Sequence, residues 1–221
     1  MKTATVYRDL PMRVAAFAAR NPGDGRIRVM AVAEPVTPGT RLSAASIGMY
    51  DAGGKLVAQW SANAQELTAP ALITAFIDKP GQYRVRVAAT DSANRAGTAD
   101  FDLNATLTPT AGVLSLSAMM IGTNSGGFAP KIQFTSEPAA IAYFELYGGQ
   151  PGMPVSITLE LASSLNGPAL AKLDRQIARS ETEPDLFRVV APINLGALPP
   201  GDYVVRAIVG LDGQQIGRAH V

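Results

Sequence analysis

The residues that could do chemistry in this chain are few and scattered. The only imidazole is His220, next to last in the sequence, and a histidine site normally needs further ligands or an orienting partner. Thr123-Asn124-Ser125-Gly126-Gly127 resembles the flank of a serine nucleophile. A chymotrypsin-like order would put a His before Ser125, and none precedes it. Two carboxylates could share acid–base work as in glycoside hydrolysis. Glu145 and Glu160 are the candidates, on neighbouring predicted strands, but each occupies an alternating position expected to face solvent. The expectation is therefore no catalytic residue and no enzyme.

Asp91, Asp100 and Asp102 cluster around a turn and could offer oxygen ligands to Ca²⁺. Ordinary turn chemistry, in which Asp and Asn bond their own backbone, is the favoured account, so no metal and no cofactor are expected. The acidic run Glu181, Glu183, Asp185 reads as a solvated loop. Glycine clusters that cradle phosphate need a strand-to-helix transition, and no helical pattern follows one here.

Aromatic residues give the remaining candidates. Trp60 is the single tryptophan. Its indole can pack into an aromatic-poor core, which is favoured, or stand exposed as a platform for a sugar or a partner. On the strand around Phe144, the period of two puts Tyr143, Glu145 and Tyr147 on one face. That Tyr-Glu-Tyr face is the expected interaction surface.

The elements that must hold these groups are organised by a repeat. Pro80-Gly81-Gln82-Tyr83-Arg84-Val85-Arg86-Val87 recurs as Pro200-Gly201-Asp202-Tyr203-Val204-Val205-Arg206-Ala207. Each copy is a Pro-Gly turn running into an alternating strand, and each is followed by a glycine-marked strand, at Gly97 and Gly217. Tyr83 and Tyr203 occupy the position of a tyrosine corner, the ring against the core and the hydroxyl bonded back to nearby backbone. Arg26–Glu34 reads as a strand with Ile27, Val29, Ala31 and Ala33 on one face. Asp51-Ala52-Gly53-Gly54 marks a hairpin. Val155, Ile157, Leu159 and Leu161 alternate with Ser156, Thr158 and Glu160. Residues 169–180 stay ambiguous, because Leu170, Leu173 and Ile177 keep a helical spacing where the fold position wants a strand.

These patterns predict an all-β chain of two tandem Ig-like or fibronectin-III-like β-sandwiches, at residues 1–105 and 113–221, joined by a linker at 106–112. Composition agrees. The 221 residues are 47% hydrophobic, with 21 Gly and 16 Pro spread between short strands. Residues 1–105 carry 12 Lys/Arg against 9 Asp/Glu, and residues 106–221 carry 7 against 9. Neither half has the clustered positive charge of a nucleic-acid footprint. The absence of cysteine excludes disulfides and a thiol nucleophile. No signal peptide is expected, since Asp9, Arg13 and Arg20 interrupt every candidate apolar region, and no run reaches the length of a membrane span.

Four segments together resemble the C-terminal region of the VWFA-related proteins of Acidobacteria. They are Arg13-Val-Ala-Ala-Phe-Ala-Ala-Arg20; Pro80-Gly-Gln-Tyr-Arg-Val-Arg-Val-Ala-Ala-Thr-Asp91; Gly126-Gly-Phe-Ala-Pro130 with Phe134 and Ala142-Tyr-Phe-Glu-Leu-Tyr-Gly148; and Leu198-Pro-Pro-Gly-Asp-Tyr-Val-Val-Arg206. The resemblance implies a bacterial, exported, periplasmic or cell-surface protein. Such proteins carry an upstream von Willebrand factor A domain with a metal-ion-dependent adhesion site. This chain has no Asp-x-Ser-x-Ser, and Ala93 and Arg95 stand where hydroxyls would follow Asp91, so that metal does not carry over. The last strand stops early against the family pattern, from which a fragment or split gene product is expected. The function expected is a non-catalytic structural or protein-interaction module, with a protein or upstream domain as partner. The alternative is a carbohydrate-binding β-sandwich that uses exposed aromatics on polysaccharide.

Overall fold

A computed structural model describes residues 6–21, 24–67, 71–109, 114–124, 127–148, 153–178, 186–196, 198–211 and 214–220. Every regular element among them is a strand. The chain divides into two units. One holds residues 1–106 and 129–133, the other residues 107–128 and 134–221.

In the first unit, β1 (Met12–Arg20), β2 (Ile27–Pro35) and β5 (Ala71–Ile77) form a three-stranded antiparallel sheet in the order β1-β2-β5. The second sheet runs β4-β3-β6-β7, from β3 (Leu42–Tyr50), β4 (Leu56–Asn63), β6 (Gly81–Asp91) and β7 (Ala96–Ala105). Three strands facing four, in this order, is the fibronectin-III arrangement of a β-sandwich. The expected alternation holds on the inner faces, where Val29, Ala31, Ile73, Ile47, Met49, Val85 and Val87 are buried to within 1% exposure. Each Val or Ile so enclosed contributes about 1.5–3 kcal/mol relative to leaving it in water. The strand β2 departs from the simple pattern, since Met30, Val32 and Glu34 on its other face are buried as well.

The residues before β1 extend the second sheet. Thr98 N donates to Tyr7 O at 3.0 Å, Leu10 N donates to Ala96 O at 2.9 Å, and Arg8 bridges Gly97. Gly97 makes this approach feasible, because a Cβ there would lie 2.1 Å from the Leu10 carbonyl oxygen.

The second unit repeats the plan. Its four-stranded sheet is β14-β13-β16-β17, from β13 (Pro154–Ala162), β14 (Ala169–Ala178), β16 (Val204–Leu211) and β17 (Gln214–His220). Residues 169–178 are thus a strand, paired with β13 from Ala169 to Ala178, and the helical spacing of Leu170 and Leu173 marks no buried face. The facing sheet centres on β12 (Ala139–Gly148). It is flanked by β15 (Leu186–Asn194) on one side and by β9 (Leu114–Leu116) and β10 (Met120–Asn124) on the other. Between β9 and β10 the chain breaks at Ser117–Met119. Ser117 exchanges backbone and hydroxyl bonds with Glu145, and Met119 drops into the core at 0% exposure. Phe144, Leu116, Leu146 and Ile157 fill the centre of that core.

The division differs from the sequence expectation at two places. Within the linker predicted at 106–112, β8 (Thr108–Pro109) pairs with β9 and belongs to the second unit. Within the second predicted sandwich, 113–221, residues 129–133 belong to the first unit. There the backbone N–H groups of Ile132 and Gln133 donate to the Glu34 carboxylate at 2.7 and 3.2 Å. The short strand β11 (Phe128–Pro130) leads into this segment.

Candidate functional site

The Tyr143-Glu145-Tyr147 face is where the sequence placed its interaction surface. The strand β12 does put the three side chains on one face, opposite Ala142, Phe144 and Leu146. That face is not open. Glu145 and Tyr147 are each 2% exposed, and Phe128 stacks on the Tyr143 ring with centroids 4.9 Å apart. The Tyr143 hydroxyl donates to Glu145 Oε1 at 2.7 Å and the Tyr147 hydroxyl donates to Oε2. The Ser117 hydroxyl accepts from Glu145 N at 2.8 Å. An alternating position read as solvent-facing is therefore a buried carboxylate bonded by two phenols of its own strand. Two phenols two residues away on either side are an arrangement a strand offers such a group.

Glu160 is the second correction. It too was read as solvent-facing, and it is 6% exposed. The registers set Lys172, Glu160, Arg206 and His220 in one row across four strands. Lys172 Nζ lies 2.9 Å from one Glu160 oxygen and Arg206 Nη2 lies 2.8 Å from the other. Arg206 also donates from Nη1 to the carbonyls of Leu165 and Gly167, at 3.0 and 2.8 Å, which ties the β13–β14 hairpin tip over the row. The hydrogen bond from Lys172 is the largest influence on the Glu160 carboxyl. With the two cationic charges it outweighs burial and holds the pKa below the usual value. Glu145 and Glu160 lie on strands of different sheets, each with its own donors, and do not form an acid–base pair.

The three aspartates form no shared ligand set. Asp91 Oδ1 accepts from the N–H groups of Ala93 and Arg95, and its other oxygen pairs with the Arg95 guanidinium at 2.7 Å. Burial pushes this carboxyl up, but the bonds from Arg95 and Ala93 win and its pKa is lowered. Asp100 pairs with Arg86 and Asp102 with Arg84, in register across β6 and β7. Among the described residues no cluster of three metal-ligating side chains occurs. Ser125 and the 181–185 run fall outside the described residues, as does the side chain of His220.

Trp60 reverses the favoured expectation. It is 38% exposed. Its register partner Ile47 is buried, so Trp60 sits on the inner side of its sheet, but β4 is the edge strand and encloses the indole on one side only. Leu56 and Val57 on the same strand are exposed too, at 41% and 42%.

The two tyrosines of the repeat share one geometry. Tyr83 donates its hydroxyl to Lys79 O and Tyr203 to Pro199 O, each at 2.7 Å and each four residues back. A Cβ at Gly81 or Gly201 would stand 3.7–3.8 Å from the ring, an ordinary van der Waals contact, so room for the ring does not by itself require either glycine.

No family model and no curated protein matches this chain. Solved structures do. One is a tetra-tandem repeat from the extending region of a large adhesion protein, at 12% identity and a TM-score of 0.27, covering 95% of this chain and 48% of that one. The chain thus spans about half of that adhesion chain. Another comprises fibronectin(III)-like modules of Clostridium thermocellum CbhA, at 13% identity and a TM-score of 0.24, covering 87% and 83%. A third is a structure of carbohydrate-binding modules from the β-sandwich superfamily, at 14% identity and a TM-score of 0.27, covering 94% of each chain.

The buried Glu34 and the Glu160–Arg206 pair escaped the sequence reading. The one local signal was a charged residue inside an otherwise apolar alternation, as in Val32-Ala33-Glu34-Pro35. A carboxylate there is either exposed or partnered, and its partners are far away in sequence.

Proposed function

We propose that the chain is a non-catalytic structural and interaction module of an exported, envelope-associated bacterial protein. One observation carries this reading. The carboxylates that could have served chemistry are bonded into the architecture: Glu145 to two tyrosines, Glu160 to Arg206 and Lys172, Asp91 to its own turn, Glu34 to the 132–133 backbone. Groups held this way position strands. The envelope assignment follows from the segments that resemble VWFA-related proteins, which contribute no metal site here.

The test is to make Glu145→Gln and Glu160→Gln and follow two readouts, thermal unfolding and hydrolysis of a panel of glycoside and ester substrates. The scaffold reading expects a lowered Tm and no hydrolysis in any variant or in the parent. Hydrolysis by the parent that a Gln variant abolishes without loss of Tm would make this an enzyme.

The carbohydrate-binding reading keeps one specific support, the exposed indole of Trp60 on the edge strand β4. Its test is protection of Trp60 from iodide by a polysaccharide.

A further inference from the structure

The outer face of β4-β3-β6-β7 is not uniformly filled. Near β3 Leu42–Tyr50 the rows carry Tyr50, Arg84 and Asp102, then Gln59, Arg86 and Asp100. The next two rows hold only short side chains, among them Ser46, Ser61 and Ala88, and the sheet is hollow there. An open groove of about 630 Å³ results, within the range of small-ligand sites. Tyr7, Asn63 and Glu66 stand among the residues that line it.

This rim is built, not incidental. Tyr7 is 47% exposed, yet its backbone is fixed on β7 by two bonds, Tyr7 N to Thr98 Oγ1 at 3.3 Å and Thr98 N to Tyr7 O at 3.0 Å. Gly97 lets that segment lie so close. Across the groove Asn63 and Glu66 are locked by a turn, in which Glu66 Oε2 accepts from Asn63 N and Asn63 Oδ1 accepts from Gln65 N, each at 2.9 Å. With its oxygen so used, Asn63 offers a ligand its NH₂ group.

The chemistry of the rim selects the ligand. Backbone donors and acceptors of the central strands β3 and β6 are spent in the sheet ladder, so recognition on this face falls to side chains. Those side chains are a phenol ring, an amide, a carboxylate and two serine hydroxyls. Among the described residues that line the groove there is no cation, and the nearby Arg86 and Arg84 pair with Asp100 and Asp102, which does not favour a phosphate or a polyanion. A ring that stacks, beside neutral donors and acceptors, suits a flat molecule edged with hydroxyls. We propose that this groove binds a neutral oligosaccharide, with Tyr7 as the stacking platform and Asn63, Glu66, Ser46 and Ser61 bonding its hydroxyls. The proposal rests on the carbohydrate reading above but moves the ligand from Trp60 to the opposite side of the sheet.

Affinity electrophoresis of the full chain tests it, in gels holding xyloglucan, galactomannan, mixed-linkage β-glucan or arabinogalactan. At least one polysaccharide should retard the parent. Tyr7→Ala and Asn63→Ala should each weaken that retardation at least tenfold, Tyr7→Phe should keep most of it, and Trp60→Ala should leave it unchanged. Ala88→Gln, which fills the floor from an exposed face, should abolish it with the Tm retained. Retardation lost in Trp60→Ala but kept in Tyr7→Ala and Ala88→Gln would overturn the groove while sparing the carbohydrate reading. No retardation in any gel would overturn both.

Discussion

Arg206 and Glu160 face each other across β16 and β13 with Nη2 and Oε2 2.8 Å apart, and the two residues are 4% and 6% exposed. Removing one member leaves the other charged and enclosed, while removing both leaves only a packing problem. Arg206 would keep two carbonyl acceptors, with its Nε already unbonded. Glu160→Gln should therefore cost about 3 kcal/mol in urea unfolding, and Glu160→Met with Arg206→Met together should cost clearly less than either single change. Additive losses would show that the pair is not coupled.

Acid should act through the same row. The Lys172 hydrogen bond, with the two cations, lowers the Glu160 pKa, and the Arg86 hydrogen bond lowers that of Asp100. A carboxyl whose folded pKa lies below its unfolded one contributes stability that is present above the unfolded pKa and disappears as pH falls through the folded one. The Tm should thus hold from neutrality down to about pH 5 and fall below about pH 4. Lys172→Ala should flatten that fall, read by thermal denaturation at a series of pH values.

The paired tyrosines invite a matched comparison. Tyr83→Phe and Tyr203→Phe each delete one hydroxyl bond to a carbonyl four residues back and leave the ring in place. Each should cost about 1 kcal/mol, by similar amounts in the two units. A neutral result in one unit would mean that water replaces the carbonyl there.

Trp60 should report an open edge. Its fluorescence should be quenched by iodide in the folded protein, as expected of an indole 38% exposed. Quenching only after denaturation would place the ring in a core. Since it is the single tryptophan, the signal has one source.

What the sequence made legible was local. Alternation along Ile27–Pro35, Gly81–Asp91 and Pro154–Ala162 is written in adjacent residues, and so is the duplicated Pro-Gly-x-Tyr turn. Period two says which residues share a face but not whether that face meets water. Glu145 and Glu160 were misread for this reason, and Trp60 for the converse one, because an edge strand has a neighbour on one side only. Residues 169–178 show the same limit, where a strand was fixed by pairing with β13 against a helical spacing of leucines.

The seat of residues 129–133 in the first unit bears on how such a chain can be rearranged by evolution. Repeats that end at their linkers can be copied, deleted or shuffled as gene segments. Here a break between 106 and 107 would carry off the two N–H groups that meet Glu34, a carboxylate only 7% exposed. The first sandwich would be inherited without the two backbone donors that hold its Glu34 carboxylate, so recombination at the linker is penalised and the pair travels as one heritable block.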